Sequence, residues 1–249
     1  MQAKMIVTDL DGTLLHTDKT VSKYAVEVFK RCKEQGIIIA FATGRSEWGI
    51  ARLELFAPDI LISSGGALAR YGDRILHREL LTSDMANALL KEFRQFPQIR
   101  IIDAFTENQW IDYDGADIDC FACGVFHITV AADDRQIVQK IAEKHQSVGL
   151  ITFSDSPSWF RVMHVNANKR QAVEAAARHF HIPVTSIVAF GDDFNDVEML
   201  KACGVGVAVA NAVEEAKAAA DQVCGNNDED GPAKWIWESM FQGAILDKV

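Results

Sequence analysis

The first 80 residues alternate between short apolar runs and longer mixed stretches. The apolar runs predict three buried strands, at residues 5–8, 37–42 and 60–63. Helices are predicted between them, at residues 22–35 and 47–55. Ser22 is a suitable N-cap for the first helix, and Gly36 is a suitable residue to end it. Strands that alternate with helices across short loops predict a parallel sheet with helices on both faces.

This pattern is interrupted between about residues 83 and 166. The interruption predicts short strands and two helices, with the strands at residues 99–103, 109–112, 125–131, 148–153 and 159–165 and the helices at residues 85–96 and 134–145. The alternation then resumes, with strands at residues 187–190 and 205–208 and helices at residues 169–179, 193–202, 214–220 and from Pro232. We therefore expect a discontinuous α/β domain, residues 1–82 and 167–249, and a small α+β domain, residues 83–166.

Two carboxylates stand at the end of the first predicted strand. Residues two apart in a strand point to the same side, so Asp9 and Asp11 are expected to converge beyond the strand end, where open α/β sheets bind ligands. Gly12 lets the chain turn there. Like charges so close repel unless a cation lies between them or one takes a proton, and oxygen ligands suit magnesium. The alternative is an exposed turn rich in Asp and Gly.

The string Asp9-Leu10-Asp11-Gly12-Thr13 resembles the first motif of the haloacid dehalogenase superfamily. Three further segments follow in that family's order, namely Thr43-Gly44-Arg45, Lys169 at a helix start, and the Gly-Asp-Asp-Phe-Asn-Asp string at residues 191–196. The residue pattern of the last segment is similar to that of the Cof-type phosphatases, class IIB. The resemblance implies a Rossmann-like core with a parallel sheet, and a C2-type cap inserted at residues 83–166.

The resemblance also implies catalytic roles. Asp9 would attack phosphorus and become an aspartyl phosphate, and Asp11 would protonate the leaving oxygen and later deprotonate water. Lys169 would be the fixed positive charge facing Asp9. Magnesium would be held by Asp9, the backbone carbonyl of Asp11, and Asp192.

Supporting roles follow from the same motifs. Donors to the phosphate would be Leu10, Thr43, Gly44, Lys169 and Asn195. Asp196, and more weakly Asp193, would orient the metal ligand or a metal-bound water. Arg45 is a candidate substrate contact, and a surface position is an equal alternative. In the presumed cap, Trp110, Trp159, Arg161 and His164 are unassigned, and we favour packing in the cap core for the two tryptophans.

The expected activity is magnesium-dependent hydrolysis of a small phosphorylated metabolite. Sugar phosphates are the leading class, alongside flavin mononucleotide and pyridoxal phosphate. Two alternatives stay open. One is a phosphotransferase such as a phosphomutase, which would use the same aspartyl phosphate. The other is a regulator that binds a phosphate ligand without turnover.

Composition narrows the classes of partner. Asp and Glu total 35 against 25 for Lys and Arg, and no basic cluster is evident, so nucleic acid is an unexpected partner. No apolar stretch approaches the roughly 20 residues of a membrane span, and no signal peptide is recognised. Cys32 lies on an apolar helix stripe and is expected in the core. Cys120 and Cys123 form a lone CxxC pair, for which zinc or redox chemistry is not favoured. These features fit the cytoplasm, and they do not indicate an oligomeric state.

Overall fold

The computed structural model describes residues 3–106, 110–113 and 124–241. The described chain divides into two compact units. One, here called the core unit, consists of the described residues of Met1–His77 and Lys169–Val249, and the other, the inserted unit, consists of those of Arg78–Asn168. Cys120 and Cys123 lie outside the described residues, so the prediction about them stays a prediction.

The amino-terminal part of the core unit contains five strands and two helices. They are β1 (Met5–Thr8), β2 (Ile38–Ala42), β3 (Ile60–Ser63), β4 (Leu68–Tyr71), β5 (Arg74–Arg78), α1 (Lys23–Glu34) and α2 (Glu47–Ile50). The hydroxyl of Ser22 accepts a hydrogen bond from the N–H of Ala25 at 2.9 Å, which caps α1. Gly36 follows α1 with a φ of 75°, a conformation that favours glycine.

Helix α2 ends well before its predicted end at residue 55. The hydroxyl of Ser46 accepts from the N–H of Gly49 at 3.2 Å and starts the helix, but Gly49 itself is a poor helix former. Leu53 and Leu55 pack against the core from an irregular segment. The predicted length of α2 was wrong because Leu53 and Leu55 contact the core from backbone that is not helical.

The inserted unit is an antiparallel sheet with two helices on one face. Its elements are α3 (Ser83–Phe93), β6 (Ile99–Phe105), β7 (Trp110–Asp112), β8 (His127–Ala132), α4 (Arg135–Glu143), β9 (Val148–Thr152) and β10 (Trp159–His164). The strand order is β7-β6-β8-β10-β9. Alternate residues of the sheet pack against α3 and α4, among them Ile102, Val130 and Phe160. This arrangement is the α+β unit that the sequence predicts.

The two tryptophans of the inserted unit are not in its core, contrary to the expectation. Trp110 is 60% exposed and Trp159 is 37% exposed. Trp110 pairs with Phe105 and Trp159 pairs with Ala131, so strand alternation places both on the sheet face opposite the helices. The face is decided by pairing register, which local sequence does not reveal.

The carboxy-terminal part completes the core unit. Its elements are α5 (Lys169–His179), β11 (Ile187–Gly191), α6 (Val197–Ala202), β12 (Val205–Ala208), α7 (Glu214–Ala219), β13 (Gln222–Val223) and α8 (Gly231–Met240). The sheet order is β13-β12-β11-β1-β2-β3-β4-β5, and β1 runs parallel to both of its neighbours. Residues 193–196, expected to begin a helix, instead contain a short 3-10 turn, Phe194–Asp196, ahead of α6.

Helices cover both faces of this sheet. In β1, Met5 and Val7 pack on the side that also buries residues of α5, α6 and α7. Ile6 packs on the opposite side with residues of α1 and α8, Cys32 among them. The predicted fold class is therefore confirmed, as is the core position of Cys32. Among the residues that the structure describes, no helix is long and apolar enough to cross a membrane.

Candidate active site

The carboxyl ends of three adjacent strands meet at one edge of the core sheet. Thr8 at the end of β1 is in register with Phe41 of β2 and with Phe190 of β11. The residues that follow these strands are therefore neighbours in space, although they are far apart in the sequence. This edge is where parallel sheets bind their ligands.

Asp9 is the first residue after β1, and its backbone is held on both sides. Its N–H donates to the carbonyl of Phe190 at 3.0 Å, and its carbonyl accepts from the hydroxyl of Thr8 at 2.8 Å. Its side chain is buried. The carboxylate is thus presented from a rigid backbone.

Lys169, the first residue of α5, bridges two carboxylates. Its Nζ lies 2.5 Å from Oδ1 of Asp9 and 2.6 Å from Oδ1 of Asp196. The side chains of Lys169 and Asp196 are fully buried. Taking such charges out of water is costly unless they are paired and hydrogen-bonded, and these are.

Three donors contact the carboxylate of Asp196. Its Oδ2 accepts from the N–H groups of Asp192 at 3.1 Å and Asp193 at 3.2 Å, while its Oδ1 accepts from Lys169. A Cβ on Gly191 would lie 2.5 Å from the Cβ of Asp196, so glycine is required there. The Asp193 side chain accepts from the N–H of Phe194 at 2.9 Å. Asp196 therefore shapes the turn after β11 as much as it balances the lysine.

Asp192 completes a cluster of oxygen donors. One carboxylate oxygen from each of Asp9, Asp192 and Asp196 lies within 4.8 Å of the other two. Oδ1 of Asp192 accepts from the hydroxyl of Thr13 at 2.7 Å. Gly12 has a φ of 81°, and a Cβ on it would lie only 2.4 Å from Oδ2 of Asp192. A donor set made of carboxylate oxygens fits Mg²⁺.

The electrostatics of this cluster favour a further cation. Burial raises the pKa of Asp9 well above its usual range; the charge of Lys169 opposes this shift, and the charges of Asp196 and Asp192 add to it. Burial and the charge of Asp196 raise the pKa of Asp192 to about 7. The pKa of Lys169 is raised, because its two carboxylate partners outweigh its own burial. One ammonium thus faces three carboxylates, and a divalent cation would correct the imbalance.

The carboxylate of Asp11 is paired with two cations. Nε and Nη2 of Arg45 donate to its two oxygens at 2.5 and 2.6 Å, and Nζ of Lys19 donates to Oδ1 at 2.8 Å. Burial alone would raise the pKa of Asp11, but these two cations together lower it. Asp11 is not one of the three carboxylates grouped within 4.8 Å, and the expected convergence of its carboxylate with that of Asp9 stays a prediction.

The predicted phosphate donors lie on the same strand ends. Thr43 follows β2 and is buried; its hydroxyl oxygen accepts from the N–H of Arg45 at 3.1 Å, which leaves its O–H free to donate. Gly44 comes next in the chain. Leu10 follows Asp9, and its carbonyl accepts from the N–H of Leu15 at 2.8 Å. Asn195 is half-buried on the 3-10 turn with Asp196.

Several contacts of this site are not evident from the sequence. The sequence marks Thr13 through its place in the first motif, but the hydrogen bond of Thr13 to Asp192 joins residues 179 positions apart. No sequence pattern marks Lys19, because its ion pair with Asp11 depends on a loop in which Lys19 itself has a φ of 69°. For Arg45, the contact seen is with Asp11, and its predicted contact with substrate stays a prediction.

Comparison with known proteins gives a consistent result. A family model described as haloacid dehalogenase-like hydrolase matches residues 6–123 and 122–236. The 5-amino-6-(5-phospho-D-ribitylamino)uracil phosphatase YitU of Bacillus subtilis is 26% identical, over 94% of this chain and 96% of its own length. The HMP-PP phosphatase of Escherichia coli O157:H7 is 24% identical, over 87% of each chain.

A solved structure supports the fold. A phosphatase of the haloalkanoate (HAD) enzyme superfamily from Bacteroides thetaiotaomicron superposes with a TM-score of 0.83, over 95% of each chain, at 22% sequence identity. The match extends through both units of the chain. At this identity the similarity is one of fold, and it agrees with the fold class expected from the sequence.

Proposed function

The chain belongs to the haloacid dehalogenase-like hydrolases, and from this premise we propose that it is a magnesium-dependent phosphatase of small phosphorylated metabolites. The observation that carries the proposal is the buried pair of Asp9 and Lys169 beside Asp192, at the carboxyl edge of the core sheet. A fold of this kind hosts many activities, and it is the intact set of charged groups that supports this one.

Asp9 is the nucleophile in the proposed reaction. Lys169 donates to its Oδ1, so attack is assigned to Oδ2. A bond forms between Oδ2 and phosphorus while the bond from phosphorus to the leaving oxygen breaks, which gives an aspartyl phosphate. Lys169, the hydroxyl of Thr43 and the amides that follow β1 and β2 would stabilise the negative charge of the transferring group.

Asp11 is the general acid and the general base of the proposed reaction. In the first half-reaction it gives a proton to the leaving oxygen, and in the second it takes one from the water that attacks phosphorus and regenerates Asp9. Its contacts with Arg45 and Lys19 favour the anion, the form that the second half requires. For the first half, we infer that the substrate phosphate competes for Arg45 and so permits protonation of Asp11.

Mg²⁺ would be held by Asp9, the backbone carbonyl of Asp11, and Asp192, with Asp196 orienting this set through the turn after β11. When bound, the cation supplies a Lewis acid that lets a carboxylate approach a phosphate dianion. Asp196 serves better as a support than as a ligand, because both of its oxygens already accept hydrogen bonds. Asp193, which caps the same turn, has the weaker supporting role.

The substrate class stays broad. The two curated relatives are named for different compounds, and both are phosphatases. We place sugar phosphates first, followed by flavin mononucleotide and pyridoxal phosphate. We also propose that the inserted unit, predicted as residues 83–166, selects among them as a cap domain.

A screen of phosphate esters tests the function. Metal-free protein is mixed with sugar phosphates, flavin mononucleotide, pyridoxal phosphate and a nitrophenyl ester, and released phosphate is measured with and without Mg²⁺. Release is expected only with Mg²⁺, and Ca²⁺ should substitute poorly because its looser coordination misplaces the nucleophile. Asp9→Asn protein prepared in parallel controls for contaminating phosphatases. Release of phosphate from no ester, or equal release in a chelator, would contradict the proposal.

The same panel tests the role of the inserted unit. Trp110→Ala removes an exposed side chain of that unit and should change the order of preference among the metabolites while the nitrophenyl ester is affected little. Asp9→Asn should lower the rates for all esters alike. An unchanged order in variants of every exposed aromatic residue of the described unit would argue against a selecting role.

A further inference from the structure

Two asparagines from the carboxy-terminal part tie down the segment that follows the first motif. Nδ2 of Asn211 donates to the carbonyl of Gly12 at 2.7 Å, and Nδ2 of Asn227 donates to the carbonyl of Leu15 at 2.8 Å. The N–H of Asn227 in turn donates to Oδ1 of Asn211 at 3.0 Å. The three bonds form one continuous clamp on the segment from Gly12 to Leu15.

The loop that carries Asn227 is itself fastened to the neighbouring loop. The carboxylate of Asp228 accepts from the N–H and the hydroxyl of Thr17 at 2.6 and 2.7 Å. Asp230 contacts Nε2 of His16 at 3.0 Å. The turn-rich acidic stretch at residues 225–231 therefore contacts the segment after the first motif along several residues. Its carboxylates face amide, hydroxyl and imidazole groups of the core unit.

The clamped segment contacts both oxygens of Asp192. Thr13 lies between the two clamped carbonyls and donates to Oδ1 of Asp192 at 2.7 Å. Oδ2 of Asp192 packs against Gly12, where a Cβ would lie 2.4 Å away. Both oxygens of Asp192 therefore meet the segment whose carbonyls the asparagines hold. A displacement of Gly12 or Thr13 would turn the carboxylate.

We propose that Asn211 and Asn227 are positioning residues for the divalent cation, acting through Gly12 and Thr13 on Asp192. Neither asparagine is a ligand in this scheme; each holds a backbone carbonyl. The inference rests on the proposed function for the identity of the cation. Residues that orient metal ligands typically change metal affinity by about 10- to 100-fold when they are replaced.

The test is direct binding of Mg²⁺ to metal-free protein, measured by titration calorimetry without substrate. Asn211→Ala removes an exposed side chain, so the fold is expected to survive, whereas Asn227 is buried and Asn227→Ala is checked by its thermal midpoint. Gln222→Ala is the matched control, because Gln222 is an exposed amide of the same unit. Its Oε1 accepts from Nε1 of Trp235 at 2.9 Å, a contact away from the segment after the first motif.

Asn211→Ala should weaken Mg²⁺ binding by about 10-fold or more. Gln222→Ala should leave the Mg²⁺ affinity unchanged, and the difference should hold when the two variants have similar thermal midpoints. Folded Asn211→Ala protein with wild-type Mg²⁺ affinity would overturn the inference while the proposed function stands. Wild-type protein that binds no Mg²⁺ and releases no phosphate would overturn both. A loss of affinity equal in Gln222→Ala would show a general effect of stability and would also overturn it.

Discussion

Nζ of Lys169 lies 2.5 Å from Oδ1 of Asp9, with both side chains buried at the carboxyl edge of the core sheet. The contact joins residues 160 positions apart and brings the start of α5 to the end of β1. It gives the proposed nucleophile a fixed cation in the absence of substrate. The same lysine balances Asp196, so its removal would leave two buried carboxylates unpaired.

Lys169→Ala is therefore expected to destabilise the metal-free protein by about 3–5 kcal/mol, the usual effect of breaking a buried ion pair. Mg²⁺ should recover part of the loss, since it would bind the cluster that the lysine no longer balances. Urea unfolding with and without Mg²⁺ measures both effects. Lys201→Ala is the control, because Lys201 makes an exposed pair with Glu198. Equal stability of the two variants would contradict the electrostatic role of Lys169.

Gly12→Ala and Gly36→Ala separate backbone strain from damage to the site. Both glycines have positive φ, 81° and 75°, so each substitution should cost about 1–2 kcal/mol in left-handed backbone. Only at Gly12 would the added Cβ meet Asp192. A Cβ on Gly36 would have no atom of the described residues within 4 Å, apart from those of Gly36 and its chain neighbours. Activity should fall by about 100-fold or more in Gly12→Ala, because a small misplacement of reacting groups lowers the rate by about that factor. Activity should be unchanged in Gly36→Ala. Urea unfolding and kcat/KM on a nitrophenyl ester provide the comparison, and equal activities would refute the close approach of Gly12 to Asp192.

Asp11→Asn should separate substrates by leaving group. Sugar phosphates need a proton on the departing oxygen, so their kcat should fall by about 100-fold or more, while attack on a nitrophenyl ester is spared because its leaving group needs little acid. The aspartyl phosphate should also persist, since the base for the second half-reaction is gone. Rates and rapid-quench samples on both esters measure this. Equal losses without a trapped intermediate would assign Asp11 a structural or metal-binding role only.

The sequence predicts the parts of the fold that local patterns control. Asp9, Thr43 and Asp192 follow apolar runs that end at one edge of a parallel sheet, so their proximity can be expected from the order of strands and helices. Lys169 at a helix start is meaningful only beside those motifs. The length of α2 and the exposed faces of Trp110 and Trp159 could not be expected, because packing and strand register decide them.

Long-range polar contacts are beyond the reach of sequence patterns. Asn227 bonds to Leu15 across 212 positions, and neither residue type at that separation signals a contact. The pairing of Asp11 with Arg45 likewise depends on two loops whose shapes are set by the strands that carry them. The sequence therefore indicates candidate groups for the proposed chemistry, and the structure adds the groups that contact them.

The most direct test of the central claim, that Asp9 carries the phosphoryl group, is chemical trapping of the intermediate. Asp11→Asn protein is mixed with Mg²⁺ and a nitrophenyl ester, quenched, and treated with hydroxylamine, which converts an acyl phosphate into a stable hydroxamate. Peptide mass spectrometry then locates the modified residue. The mechanism predicts a hydroxamate on Asp9 that depends on the ester and on Mg²⁺. A hydroxamate on another carboxylate, or ester turnover by Asp9→Asn protein at more than about a tenth of the wild-type rate, a loss of under roughly 1.4 kcal/mol, would contradict it.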